Sequence, residues 1–177
     1  MNKIIMIAEN HFSHVKEISV DQIVFSDDVI KMCEQNRCGH YGKNWTCPPA
    51  TKSIDEFRDE ISEFESFIIV SQVYDIKGSF DWTGMMSGVS DFRERLVAAK
   101  NEIEKKCPQL TFLILGAGSC SLCETCAYIA GEACGRPEEA LVSVEACGID
   151  VVRLMRDNGL KYHHGKNTVT YIGGIMY

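Results

Sequence analysis

Residues 53–74, SIDEFRDEISEFESFIIVSQVY, join an amphipathic helix to a buried strand, and this pair of elements decides the fold class. Ser53 and Glu56 form a capping box, which satisfies early backbone N–H groups of a helix. Apolar residues recur behind this box at helical spacing, at Ile54, Phe57, Ile61 and Phe64. The apolar run FIIVSQVY at 67–74 then predicts a core strand.

Similar patterns extend in both directions along the chain. Further helices are predicted at 90–108, 137–146 and 151–158, and further strands at 3–9, 110–120 and 167–177. Pro137 opens its helix, whereas Asp150 caps and Gly159 ends the next one. The glycine-containing segment 75–91 is interpreted as a long loop. This order predicts one α/β or α+β domain over residues 1–177, with a small central β-sheet flanked by helices.

Composition and charge narrow the possible functions. The 177 residues are 45% hydrophobic and 24% charged, which is typical of a globular protein. The formal net charge of -7 argues against nucleic acid as a partner, because phosphate binding requires a basic face. The apolar run near the start, residues 4–8, is too short for a signal-peptide core or a membrane span. We therefore expect a cytoplasmic protein with no membrane partner and with reduced thiols.

A downstream cysteine loop at 120–137, CSLCETCAYIAGEACGRP, has the spacing C-x2-C-x2-C-x7-C. Its candidate ligands are Cys120, Cys123, Cys126 and Cys134. Closely spaced thiolates in one loop can each bind a different iron of a [4Fe–4S] cluster. Zinc sites more often use two separated C-x2-C turns, which favours the iron–sulfur cluster here. Structural zinc is the second interpretation, and a thiol-exchange site or no metal is the third.

An upstream cysteine loop at 33–49, CEQNRCGHYGKNWTCPP, has the spacing C-x4-C-x8-C. Its candidate ligands are Cys33, Cys38 and Cys47. Gly39 and Gly42 are expected to let the backbone approach a bulky ligand, and Tyr41 and Trp45 to shield it from water. Three thiolates leave either one open iron or a fourth ligand from elsewhere, for which Cys107, Cys147 and a histidine, above all His40, are candidates.

Three segments resemble a known family. RCGHYGKNWTCPPA, the segment GAGSCSLCETCAYIAGEACGRPEEALVSVEACGIDVV and the closing strand resemble the predicted metal-binding proteins of the DUF2284 family. The resemblance extends from about Cys33 to the C-terminus and implies metal binding without a stated catalytic activity. The matching family cysteines are the seven candidates of the two loops. An aromatic residue is expected where Cys147 stands, and a proline where Ala133 stands.

Several other residues are interpreted as structural. Cys107 is expected at a helix boundary, His163 and His164 as a solvated or packed pair on a strand, and Met85 and Met86 over the core. Arg136 is expected either to stabilise an anionic cluster or to form a surface ion pair.

Three functions remain open at this point. The leading one is a protein with one or two [4Fe–4S] clusters in electron transfer or redox chemistry, with a redox protein or small molecule as partner. The second is an enzyme with an open iron on the three-cysteine cluster. The third is a zinc-stabilised structural or interaction module.

Overall fold

The computed structural model describes residues 2–177 of the chain, and its elements alternate around a central sheet. The helices are α1 (Lys3–His11), α2 (Asp27–Glu34), α3 (Ile54–Ile61), α4 (Trp82–Lys106) and α5 (Val151–Asp157). The strands are β1 (His14–Ser19), β2 (Ser66–Asp75), β3 (Leu113–Leu115) and β4 (Thr168–Met176). The predicted domain of residues 1–177 includes Met1, which lies outside the described residues.

The four strands form an antiparallel sheet in the order β1–β2–β4–β3. The fold is therefore α+β, which confirms the prediction of a small central sheet flanked by helices. Strand β2 lies inside the sheet, and its register pairs Ile69 with Lys16 of β1 and with Gly174 of β4. Among residues 2–177, no helix combines the length and apolarity needed to cross a membrane.

Strand β2 is a continuous apolar run because both faces of the sheet are covered. Phe67 and Ile69 belong to one core cluster with residues of α3 and α5. Ile68 and Val70 belong to a second cluster with residues of α1 and α4 on the opposite face. Side chains along a strand alternate between faces, so a strand buried on both sides needs no polar alternation.

Three predicted helix caps are confirmed. The Ser53 and Glu56 side chains form the reciprocal capping box at the start of α3. The Asp150 carboxylate accepts a hydrogen bond of 2.9 Å from the Arg153 backbone N–H at the start of α5. Gly159 follows α5 with a φ of +71°, a conformation that glycine adopts without strain.

The predicted strand at 3–9 was wrong, because these residues begin α1. Ile4, Ile7 and Ala8 are buried together against α4. They stand at positions i, i+3 and i+4, which lie on one face of a helix. The Asn2 side chain caps the helix by accepting a hydrogen bond of 3.0 Å from the Ile4 N–H.

The predicted loop at 75–91 was also wrong over most of its length. Helix α4 begins at Trp82, where the Asp81 side chain accepts a hydrogen bond of 3.0 Å from the Gly84 N–H. Gly88 lies inside this helix because a Cβ there would be 3.1 Å from the rings of Tyr74 and Tyr171. Close packing against the sheet therefore requires a residue that is unfavourable for an isolated helix.

The predicted helix at 137–146 is replaced by two 3₁₀ turns, Pro137–Glu139 and Glu145–Cys147. Between them the chain is extended, and Gly116 exchanges backbone hydrogen bonds with Val142 and Val144. These bonds continue the sheet beyond β3, and the predicted strand at 110–120 is shortened to β3 itself. Strand β1 and helix α2 were not predicted, and α2 leads directly into the upstream cysteine loop.

Candidate metal centre

The upstream loop begins at the end of α2, where Cys33 belongs to the last turn. Asn36 follows in a left-handed conformation, with a φ of +51°, and its hydrogen bonds organise the residues around it. Its backbone N–H donates to the Cys33 carbonyl oxygen at 2.9 Å, and its side-chain oxygen accepts from the Tyr41 N–H at 3.0 Å. Cys33 and the segment that carries Cys38 are thereby joined by local hydrogen bonds.

Two glycines of this loop serve backbone conformation. Gly39 and Gly42 have φ values of +79° and +67°, which favour glycine. No atom lies within 4 Å of the position that a Cβ would take at either residue. The positive φ therefore accounts for glycine at both positions.

Cys47 lies in a hydrogen-bonded turn at the other end of the loop. Its N–H donates to the Asn44 carbonyl oxygen at 3.1 Å, and its own carbonyl oxygen accepts from the Ala50 N–H at 3.0 Å. The Gly42 N–H donates to the Pro48 carbonyl oxygen at 2.9 Å, and the Pro48–Pro49 peptide bond is cis. These contacts fold the loop back so that its end lies beside its middle.

Cys33, Cys38 and Cys47 line one cavity of about 430 Å³, called here the upstream cavity. Tyr41 and the exposed His40 line it from the same loop. The opposite walls contain residues from α4, β4 and the segment before α5, namely Trp82, Met85, Met86, Val89, Tyr171, Ser143 and Glu145. The prediction that the two methionines cover the core was wrong, because both line this cavity.

Burial and neighbouring thiols set the electrostatics of this group. Burial raises the pKa of Cys47 to about 11, and the nearby Cys38 adds to the increase. Burial likewise raises the pKa of Cys33, and the charges of Cys38 and Glu145 raise it further. When ionised, these thiolates repel one another, and a cation that binds them would relieve that repulsion.

Cys120, Cys123, Cys126 and Cys134 line a second cavity of about 30 Å³, called here the downstream cavity. Cys123 is exposed, while the other three cysteines are half-buried. A 3₁₀ turn at Ala127–Ala130 separates the third cysteine from the fourth and ends at Gly131, whose φ is +70°. This turn brings the distant Cys134 back to the three closely spaced cysteines.

Trp45 is part of the upstream motif but lines the downstream cavity. Its indole N–H donates to the Glu132 carbonyl oxygen at 3.0 Å, and its ring packs edge-on against Tyr128 at 4.9 Å between centroids. The prediction that Trp45 shields the upstream group was therefore wrong. Tyr41 does line the cavity for which it was predicted.

Two arginines lie beside the downstream cysteines. Arg136 lines the cavity, forms a two-bond ion pair with Glu139, and donates to the Leu122 carbonyl oxygen at 3.3 Å. Arg93 donates to the Ser121 hydroxyl at 2.7 Å. Burial raises the pKa of Cys120, and a backbone hydrogen bond at Leu122 and the charge of Arg93 partly offset the increase. The charge of Arg93 thus favours the thiolate form of Cys120.

The two cavities lie side by side and share their walls. In the segment 118–123, Gly118, Ser119 and Ser121 line the upstream cavity, and Cys120, Leu122 and Cys123 line the downstream one. In the segment 44–48, the first three residues line the downstream cavity and the last two line the upstream one. Whatever occupies one cavity is therefore separated from the other by short stretches of two chain segments.

The remaining predicted candidates lie elsewhere. Cys147 is buried in the core cluster beside α3 and α5, where burial raises its pKa to about 12. Cys107 caps the end of α4 and packs against the other core cluster. His163 and His164 lie in the loop before β4, so the prediction that they occupy a strand was wrong.

Two features of this region were not predicted from the sequence. Asn44 and Thr46 are buried polar residues that bind the backbone of Cys120, and neither is distinguished by the cysteine spacing. Glu145 lines the upstream cavity, and its Oε2 atom is inaccessible to solvent without a hydrogen-bond partner. A detectable signal for Glu145 was its position as the one charged residue in the apolar run LVSVEACGI.

The donor set fits a metal group in each cavity, since thiolates are ligands for both iron–sulfur clusters and zinc. Within residues 2–177, no three or more His, Cys, Asp and Glu side chains are already close enough to hold a single metal ion. Four cysteines line the downstream cavity and three line the upstream one, and the identity of the bound metal group has to account for this division.

The comparisons with known proteins agree with this chemistry. A family model described as "Predicted metal-binding protein (DUF2284)" matches residues 16–177. No curated protein matches the chain, and no solved structure does.

Proposed function

Because the chain belongs to the DUF2284 family of predicted metal-binding proteins, we propose that it is an iron–sulfur protein with two [4Fe–4S] clusters that acts in electron transfer. Cys120, Cys123, Cys126 and Cys134 hold one cluster, and Cys33, Cys38 and Cys47 hold the other. The observation that carries the proposal is that these cysteines line two adjoining cavities, with four on one and three on the other.

The upstream cavity has room for a group larger than a single ion. Its volume of about 430 Å³ is about fourteen times the volume that one water molecule occupies in the liquid. Tyr41, Met85 and Tyr171 surround it with apolar surface, and such surface controls how far water approaches a cluster. When bound, a cluster supplies one-electron transfer, and the surrounding side chains exclude water and fix the positions of the thiolates.

The downstream cysteines have a narrower cavity but an open outer side. Cys123 is exposed, as are the neighbouring Glu124 and Thr125, so a cluster held by these cysteines beside the cavity of about 30 Å³ would be partly open to solvent. Arg136 and Arg93 lie beside this group, and their charges offset part of the negative charge of a thiolate-bound cluster.

The shared walls favour a relay over two independent sites. Electron transfer requires donor and acceptor to be close, and the segments 44–48 and 118–123 each line both cavities. The redox partner is a protein or a small molecule. Exposed apolar side chains, Trp82 and Met86, lie where the upstream cavity meets the surface, and a partner that contacts them comes close to that cluster.

One observation favours a second candidate, a structural zinc ion on the downstream cysteines. The cavity of about 30 Å³ is close to the liquid volume of one water molecule, a size that suits a single ion. Four thiolates around one Zn²⁺ form a closed structural site.

Anaerobic purification tests the proposal against this alternative. The proposal predicts a brown protein with broad visible absorption that bleaches on reduction, together with iron and acid-labile sulfide in equal amounts. Cys107→Ser removes a thiol outside both groups and is predicted to leave the spectrum unchanged. A colourless protein that contains zinc and no iron after anaerobic expression contradicts the proposal.

A further inference from the structure

Glu145 lines the upstream cavity together with the three cysteines, and no role is assigned to it by the proposed function. Its Oε2 atom is inaccessible to solvent and has no hydrogen-bond partner. Buried carboxylate oxygens are normally paired with a donor or a cation. The Ser143 hydroxyl lies near this carboxyl group. Oε2 still lacks a partner, so it is available to a group bound in the thiol-lined cavity.

The backbone holds Glu145 in this position. The residue begins the 3₁₀ turn Glu145–Cys147, and its neighbours Val144 and Ala146 are both buried. The Ser143 hydroxyl accepts a hydrogen bond of 3.2 Å from the Ala146 N–H, which fixes the start of the turn. The backbone of the turn is therefore held between two buried neighbours, with the Glu145 side chain in the wall of the upstream cavity.

The other polar groups of the cavity are less suited to complete the upstream group. His40 is exposed on the loop, where water can satisfy its ring nitrogens, whereas Oε2 of Glu145 is inaccessible to water. The Tyr171 hydroxyl already donates to the Met85 carbonyl oxygen at 2.7 Å. Cys147 belongs to the hydrophobic core. Glu145 also lies close enough to Cys33 for its charge to act on that thiol.

We propose that the Glu145 carboxylate is the fourth protein ligand of the upstream cluster, binding through Oε2 the iron that Cys33, Cys38 and Cys47 leave without a thiolate. This inference rests on the proposed function. It closes the upstream site and makes it an electron-transfer centre in place of an open iron that binds substrate.

The test uses full-length protein reconstituted anaerobically with ⁵⁷Fe and sulfide. Glu145→Gln keeps the size of the side chain but removes its charge, and Glu124→Gln makes the same change at an exposed residue beside the downstream cysteines. After mild oxidation, Glu145→Gln is expected to lose about one iron from about eight per chain and to give the electron paramagnetic resonance signal of a three-iron cluster. Glu124→Gln and the wild type are expected to keep all their iron.

Two further readouts are independent of iron loss. The reduction potential of the upstream cluster is expected to rise in Glu145→Gln, because a neutral ligand stabilises the oxidised cluster less than an anionic one. In the wild type, Mössbauer spectra are expected to show one oxygen-ligated iron, and ¹⁷O-water is expected to produce no hyperfine broadening at it. The wild-type measurement decides the matter even if Glu145→Gln does not fold.

Different results overturn different claims. Broadening by ¹⁷O-water identifies bound solvent at the fourth iron and overturns the assignment of Glu145. Full iron retention and an unchanged potential in Glu145→Gln overturn it as well, while the two-cluster proposal stands. A wild type that takes up no iron on the upstream cysteines overturns both.

Discussion

The side-chain amide of Asn44 donates a hydrogen bond of 2.9 Å to the backbone carbonyl oxygen of Cys120, 76 residues along the chain. The Cys120 N–H in turn donates to the Thr46 hydroxyl at 3.1 Å. Both backbone groups of the first downstream cysteine are thus bound by the upstream loop. The Asn44 side-chain oxygen accepts from the Thr46 N–H and hydroxyl, which fixes the orientation of the amide. The two cysteine loops are therefore positioned as a unit.

Removal of this link is predicted to affect both cysteine groups. Asn44→Ala leaves the Cys120 carbonyl oxygen without its donor and the buried Thr46 N–H and hydroxyl without their acceptor. An unsatisfied buried group costs about 1–3 kcal/mol. We expect a decrease of that size in the free energy of unfolding, measured by urea denaturation of the metal-free protein, and lower iron uptake by both groups. Asn101→Ala, at an exposed position of α4, controls for the loss of an amide. Iron loss confined to the upstream cysteines would contradict the joint positioning.

Trp45 is predicted to protect the downstream cluster in particular. Trp45→Ala removes the edge-on contact with Tyr128 and the hydrogen bond to Glu132, so water and oxygen reach Cys126 and Cys134 more easily. We expect the downstream cluster to bleach several-fold faster in air, followed by visible absorption and by spin resonance. Trp82→Ala, at the other cavity, is the matched control. Equal acceleration of downstream bleaching by both variants would show that Trp45 has no specific role.

Gly174 of β4 is predicted to be required for the close packing of β4 against Phe67. A Cβ at this position would overlap the ring of Phe67, a buried residue of β2. Gly174→Ala therefore forces the ring or the strand to move, and such overpacking costs about 1–3 kcal/mol. The thermal midpoint should fall accordingly in calorimetry. Gly78→Ala, where no atom lies within 4 Å of the added carbon, should leave it nearly unchanged. Equal midpoints for the two variants would contradict the packing described for β2 and β4.

The pKa of Cys147 predicts how stability depends on pH in the metal-free protein. Burial raises this pKa from its ordinary value of 9.0 to about 12. Below pH 9 the folded and unfolded states both keep the proton. Between pH 9 and about 12 only the unfolded state loses it, so stability falls as the pH rises, by up to about 1.4 kcal/mol per pH unit.

Urea denaturation between pH 8 and 10.5 measures this slope. Cys147→Ala is expected to lower stability at every pH because it leaves a small cavity, but to reduce the slope above pH 9. Cys107→Ala, which removes a thiol at the end of α4, controls for the loss of a cysteine. An identical slope in the wild type and in Cys147→Ala would contradict the burial of an unionised thiol in the core.

Local patterns predicted the elements whose signals are contained within a short segment. The capping box at Ser53, the apolar run of β2 and the cap at Asp150 each depend on neighbouring residues, and all three are present. The start of α4 was missed because Gly88 disfavours a helix locally, and only the packing of Tyr74 and Tyr171 explains it. Tertiary contacts decided that element against its local propensity.

In the candidate site, too, local sequence patterns predicted some features, whereas contacts between distant segments determined the others. The cysteine spacing identified two loops, whose members line two cavities. The contact of Trp45 with Glu132 and the burial of Glu145 depend on chain segments that lie far apart in sequence. No spacing rule within a single loop contains that information.

Iron and acid-labile sulfide per chain, measured after anaerobic reconstitution, test the central claim most directly. The wild type is predicted to bind about eight of each, and the variant with Cys33, Cys38 and Cys47 all replaced by serine about four of each. The four that remain belong to the cluster on the downstream cysteines. An iron content that does not change when the three upstream cysteines are replaced would contradict the account of two clusters in two adjoining cavities.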